Sequence, residues 1–214
     1  MNVNKLSQLI SWVFLPFFMP LYGLLIVLFL PFDEVQKHHI PMYALPLNIK
    51  WIVFFLFVLF CCVAPGISFI ILFRYRIVSH IQMVNRKERN YPFIIAIIYC
   101  SMLYWLLLQS DPKGLLPIYL SRLALASLVV TTLFFGVNFV RKISIHAGGA
   151  GVLTGFLYAY FMDAHNPSLL WISVALFVSG CVISARWFLQ KHSALELVLG
   201  YVVASLTTGI IVAW

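Results

Sequence analysis

Acidic side chains are scarce in this sequence. Asp33, Glu34, Glu88, Asp111, Asp163 and Glu196 are the whole supply in 214 residues, against 14 lysines and arginines. They form no aspartate-rich motif able to hold a divalent metal, which argues against a magnesium-dependent prenyltransferase. Cysteine is also sparse. Cys61, Cys62, Cys100 and Cys181 all lie in apolar stretches, without a C-x-x-C pair or a loop position from which a disulfide would form. They read as small packing or lipid-facing residues. No linker, low-complexity tract or internal repeat divides the chain, so residues 1–214 are read as one domain.

Charge of either sign is rare as well. With 9% charged residues, 63% hydrophobic residues and a mean hydropathy of +1.01, the chain is too apolar for a soluble globular domain. What it has instead is a series of long uncharged runs. They cover 6–32, 51–73, 90–110, 123–140, 143–162, 164–185 and 197–214. Each approaches or exceeds the roughly 20 residues that cross a bilayer as a helix. None alternates as barrel strands do, so the expected fold is an all-α polytopic transmembrane bundle of seven spans, or six if one run is re-entrant. The first run is too long for a cleavable signal and no small-residue cleavage site follows it, so it is expected to remain as a span.

The loops divide between two ends of such a bundle. If the spans alternate, one end carries Lys5, Arg74, Arg76, Arg86, Lys87, Arg89, Arg141, Lys142, Arg186 and Lys191, and the other Lys37, Lys50, Lys113 and Arg122. That bias places the richer end in the cytoplasm by the positive-inside rule. Setting aside Arg86, Lys87, Arg89, Lys142 and Arg186 as candidates for anion binding nearly removes it. The net charge of +8 points to anionic lipid head groups or a phosphorylated substrate rather than to nucleic acid.

Three loops of the basic end carry chemistry. The first is "NRKERNYP", with Arg86, Lys87 and Arg89 ahead of Pro92; the second offers Lys142, Ser144 and His146, followed by "AGGAG"; the third offers Arg186, His192 and Glu196. Cations, two histidines and one carboxylate without an acidic cluster make a metal-independent phosphate site. Residues four apart share a helix face, so Glu196 is expected to accept a proton from one ring nitrogen of His192 and leave the other nitrogen as a nucleophile. The plain alternatives are an interfacial helix-start pair for His192 and Glu196, a buried structural histidine for His146, membrane anchors for residues 86–89, and close helix packing for 147–151. At the opposite end His38, His39, Asp163 and His165 match no strong metal-ligand spacing and read as loop residues.

These residues resemble the signatures of the phosphatidic acid phosphatase type 2 superfamily, which includes vanadium haloperoxidases: a Lys/Arg-Pro segment, Ser-Gly-His, and Ser-Arg-x5-His-x3-Asp. Arg186, His192 and Glu196 follow the third spacing, Ser144-Ile145-His146 resembles the second, and "NRKERNYP" resembles the first; the likeness spans 86–200. The chain departs in having Glu196 for Asp, Ala185 between Ser184 and Arg186, Ile145 for the glycine, and Tyr91 before Pro92. The resemblance implies a membrane lipid phosphatase needing no cofactor. His192 would be the nucleophile, His146 the general acid and base, and Glu196 the group that orients His192. Arg186, Lys142, Ser144, Arg89, Lys87 and Arg86 would hold the phosphate. Phosphatidic acid, phosphatidylglycerol phosphate, a polyprenyl diphosphate or phosphorylated lipid A would serve as substrate. It further implies a bacterial inner membrane location, with phosphatases of exported lipid carriers favouring the outer face against the charge bias. The alternative function is a non-catalytic lipid-binding or transport protein that uses the basic end as a head-group clamp.

Overall fold

The computed structural model describes residues 3–30, 40–78, 88, 90–111, 116–164 and 168–214. The fold is all-α. In chain order come α1 (Val3–Val13), α2 (Met19–Phe29), α3 (Leu47–Val58), α4 (Ala64–Arg74), α5 (Asn90–Ser110), α6 (Ile118–Asn138), α7 (Ile145–Met162), α8 (Leu169–Phe188) and α9 (Ala194–Ala213). Five helices among the described residues are long and apolar enough to cross a membrane: Leu47–Arg74, Asn90–Ser110, Ile118–Asn138, Leu169–Phe188 and Ala194–Ala213. A sixth is formed if α1 and the Pro16–Phe29 segment, bent by 45°, count as one span. Large apolar side chains such as Trp105, Phe177 and Ile210 project outward, as lipid contact requires. The protein is an integral membrane protein.

Prolines shape two of these spans. Pro16 forces the residue before it out of the helical region, and Leu15 accordingly sits at φ −60°, ψ 143°. The first apolar run is thereby divided into α1 and α2. In Leu47–Arg74 the helix continues, but widens to a π turn at Leu59–Val63, where the Ala64 amide donates to the Leu59 carbonyl. Pro65, next in line, has no N–H to give, and the wider turn absorbs its ring.

The sequence predicts a seventh span over 143–162. It forms α7, which is not among those five helices and is buried along nearly its whole length. A helix sheathed by protein does not need a lipid-compatible surface. Its longest packing partner is α9, followed by α8, with α2 and α6 on other sides. Small residues permit this approach: a Cβ on Gly151 would lie 2.5 Å from the Tyr201 carbonyl oxygen, and one on Gly155 2.3 Å from that of Ser205. The facing stripe of α9 is Gly200, Ala204 and Thr208. In the interior, Thr154 and Ser179 hydroxyls meet at 2.9 Å and share the Ala150 carbonyl, joining α7 to α8.

A direct test of that packing is Gly155→Ala. It is expected to lower stability in detergent by about 2 kcal/mol or more, because helix backbones cannot yield as side chains do. Gly66→Ala, where an added Cβ meets nothing within 4 Å, is expected to be neutral or to gain up to about 1 kcal/mol from helix propensity. Thermal unfolding of the two variants distinguishes a backbone clash from a general response to losing glycine.

Candidate functional site

The end of α8 and the start of α9 build one half of the site. The Lys191 amide donates to the Arg186 carbonyl at 3.2 Å and the Gln190 amide to the Trp187 carbonyl at 2.8 Å, the paired bonds of a Schellman turn. Gln190 takes the left-handed position, with φ 51°. This turn reverses the chain inside the five-residue gap between Arg186 and His192. Ser193 then caps α9 by accepting from the Glu196 amide at 3.3 Å.

Glu196 therefore sits in the first turn of α9, and His192 just before that helix. His192 Nδ1 and Glu196 Oε2 are 2.8 Å apart. The pair is recessed but not sealed, with the His192 side chain 10% exposed and that of Glu196 26%. Burial pushes the His192 pKa below its ordinary value, and the charges of Lys142 and Arg186 add to that, while the hydrogen bond and charge of Glu196 oppose it. The ring is consequently neutral at neutral pH, with Nε2 unencumbered by the carboxylate.

Arg186 lies in the last turn of α8, where a cation also complements the helix dipole. Its Nε is shut away from solvent and has no hydrogen-bond acceptor among the described residues. A buried guanidinium donor without a partner is unusual in a folded protein, since leaving it unmade costs about 1–3 kcal/mol.

The start of α7 closes the cluster from the other side. The Ser144 amide donates to the Glu196 carbonyl at 3.4 Å, and Lys142 Nζ donates to the Lys191 carbonyl at 2.9 Å. His146, in the first turn of α7, is close enough to Arg186 and His192 to feel both. Ser144 is fully buried, and its hydroxyl caps α7 by accepting from the Ala147 amide at 3.4 Å. The "AGGAG" segment serves packing. The Gly148 amide is taken by the Ser144 carbonyl, while Gly148 faces the Phe134 ring and Gly149 faces Pro16.

His192, Glu196, Arg186, His146 and Lys142 are thus brought together, and Ser144 supports them from behind. Arg86, Lys87 and Arg89 lie outside the described residues, as do His38, His39 and His165 at the other end. Asp163 there accepts a hydrogen bond from Tyr119. Cys61 and Cys100 are buried and Cys62 and Cys181 half-buried, all as free thiols.

Two features escape sequence reading. The first span reaches the start of α7: a Cβ on Gly149 would lie 2.8 Å from the Pro16 Cα. The second is a cavity of about 100 Å³ beside the first turns of α7, walled by Pro16, Phe60, Phe93, Ala96, Phe134 and Gly149. The hydroxyls of Ser127 and Thr131 also border it, but donate to the Leu123 and Ser127 carbonyls at 2.9 and 2.7 Å. Its wall makes no polar demand on an occupant.

Comparison with protein-family models, with curated proteins and with solved structures returned no match.

Proposed function

We propose that this chain is a metal-independent phosphatase of membrane lipids, acting on a lipid phosphate or polyprenyl diphosphate through a phosphohistidine. The observation that supports the reading is the Nε of Arg186, buried and without a partner among the described residues, together with a neutral His192 held by Glu196. An oxyanion of a phosphate would complete the guanidinium, and His192 would attack its phosphorus.

In the proposed reaction, His192 Nε2 forms a bond to phosphorus while the bond to the lipid oxygen breaks. His146, entering the step as the imidazolium that the bound phosphate dianion favours, gives a proton to that departing oxygen. Water then loses a proton to His146 and attacks phosphorus, the P–N bond breaks, and inorganic phosphate leaves. Glu196 stabilises the positive charge that His192 gains, and Arg186 and Lys142 neutralise the equatorial oxygens. Ser144 acts through the α7 cap instead of touching phosphate. The apolar cavity takes part of the hydrocarbon tail, as dry apolar cavities take small apolar guests.

The reading is tested by phosphate release from a panel of lipid phosphates and diphosphates in excess chelator, native protein against His192→Ala. Chelator-resistant release that disappears in the variant supports it. The non-catalytic head-group clamp is the second reading, favoured by the burial of Ser144, and it predicts binding without release in both proteins. A further expectation concerns the tail: Ala96→Phe, which fills the cavity, lowers turnover of a long-chain lipid phosphate roughly tenfold and leaves a short-chain soluble analogue within about twofold. Equal losses on both substrates would remove the cavity from tail binding.

A further inference from the structure

Lys50 stands in the first turn of α3, where a helix favours acids. The open amides of a helix start carry a positive partial charge, and a cation beside them is disfavoured. α3 nevertheless has no acidic residue in its first turn, and its N-cap, Pro46, supplies no side-chain acceptor. The Lys50 amide donates to the Pro46 carbonyl at 3.0 Å, while the amides of Leu47, Asn48 and Ile49 find no backbone carbonyl among the described residues.

The lysine side chain is enclosed as well. Lys50 is only 7% exposed, and its ammonium lies 4.0 Å from the centre of the Tyr43 ring. Tyr43 belongs to the turn Met42–Ala44, ahead of the helix. The ammonium is therefore folded back past the start of α3, in the direction helical side chains lean. Among the described residues it makes no hydrogen bond and no ion pair. An aromatic face offsets only part of what a buried cation loses with its water. One full positive charge and one partial one thus meet at this helix start with no anion between them.

The place lies at the end of the bundle opposite the His192 cluster. The Met42 amide donates to the Tyr160 hydroxyl at 3.1 Å, and Tyr160 is about 20 Å along α7 from His146. Tyr43, Pro46, Leu47 and Asn48 are exposed there. So are Trp51 and Phe55, whose rings stack with centroids 5.6 Å apart and form an apolar strip running away from the helix start. Exposed tyrosine and tryptophan at the end of an apolar span mark the head-group level of a bilayer.

We propose that Lys50 and the open amides of α3 bind the phosphate of an anionic phospholipid in the leaflet opposite the His192 cluster. The phosphate oxygens accept from the ammonium and from the helix start, and the acyl chains lie along Leu47, Trp51 and Phe55. A membrane lipid fits these surroundings better than free phosphate, because its tails cover the exposed apolar strip while its head group reaches Lys50. The inference does not depend on what the His192 cluster does.

The test follows thermal unfolding of the full chain in detergent, in an Arg186→Met background so that the His192 cluster does not answer to phosphate. The additions are dioleoyl phosphatidylglycerol, dioleoylglycerol and inorganic phosphate. Phosphatidylglycerol is expected to raise the unfolding temperature saturably, whereas dioleoylglycerol, which lacks phosphate, and inorganic phosphate, which lacks tails, leave it nearly unchanged. Adding Lys50→Met is expected to weaken the apparent affinity for phosphatidylglycerol about tenfold or more, and Lys50→Arg to keep it within about threefold. An undiminished response in Lys50→Met, or equal stabilisation by dioleoylglycerol, overturns the proposal. Equal stabilisation by inorganic phosphate overturns the assignment to a lipid.

Leu47→Asp keeps the test decisive if Lys50→Met does not fold. It places a carboxylate three residues before Lys50, on the same helix face. The chain then carries its own anion, and is expected to unfold at a higher temperature without lipid and to lose its response to phosphatidylglycerol. Lower lipid-free stability with an undiminished response overturns the proposal.

Discussion

His192→Ala is expected to lower phosphate release about 10⁴-fold or more while leaving affinity for a lipid phosphate within a few-fold, because removal of a nucleophile abolishes the bond-forming step. Arg186 remains in the variant to hold the oxyanion. The pH profile carries a further signature. His192 must be neutral to attack, so kcat/KM falls as pH drops through its pKa, which burial, assisted by Lys142 and Arg186, holds below the ordinary histidine range. Glu196 opposes that shift. Glu196→Gln therefore moves the acidic limb to still lower pH, in addition to slowing turnover. A limb that moves upward, or that stays fixed when Glu196 is neutralised, would show that another group titrates in the reaction.

Arg186→Met is expected to separate binding from stability. The native protein keeps a guanidinium Nε buried without an acceptor among the described residues, and an unsatisfied buried donor costs about 1–3 kcal/mol. Methionine fills similar space without that donor, so the ligand-free variant is expected to unfold at a higher temperature than the native protein. Its head-group affinity is expected to fall about 100-fold or more, the scale of losing a bidentate charged contact. Inorganic phosphate should raise the unfolding temperature of the native protein and leave that of the variant unchanged. A variant less stable than native protein in the absence of ligand would mean that Arg186 holds the bundle together, and the phosphate assignment would lose its support.

Much of the bundle is legible in the sequence because lipid imposes one pattern on every span. The boundaries are less so, since charge marks where an uncharged run ends whereas proline and capping residues mark where a helix ends. The run beginning at Leu123 belongs to a helix that starts at Ile118 after Pro117, and Arg122 stays inside it by donating to the Val212 carbonyl at 3.0 Å. Lys50 similarly lies within α3, its ammonium 4.0 Å from the centre of the Tyr43 ring. Neither cation ends a helix, because each finds a partner along its own stem.

The site divides in the same way. The spacing of Arg186, His192 and Glu196 is local and readable, and Ser193 followed three residues later by Glu196 has the form of a capping pair. The turn that makes the spacing work is hidden, because a left-handed position usually advertised by glycine is filled by Gln190. Ser144 has a role beyond its motif. The motif position implies phosphate contact, and as the serine before a helix it is also the buried cap of α7. Contacts between distant segments, such as Pro16 against Gly149, leave no periodic trace at all.

The central claim is that His192 becomes covalently phosphorylated. Rapid acid-free quenching of native protein with radiolabelled lipid phosphate, in excess chelator, followed by peptide mapping, tests it most directly. The account predicts base-stable, acid-labile phosphate on the peptide carrying His192, and none in His192→Ala. Steady release of phosphate with no label on His192, or label on another residue, would contradict it.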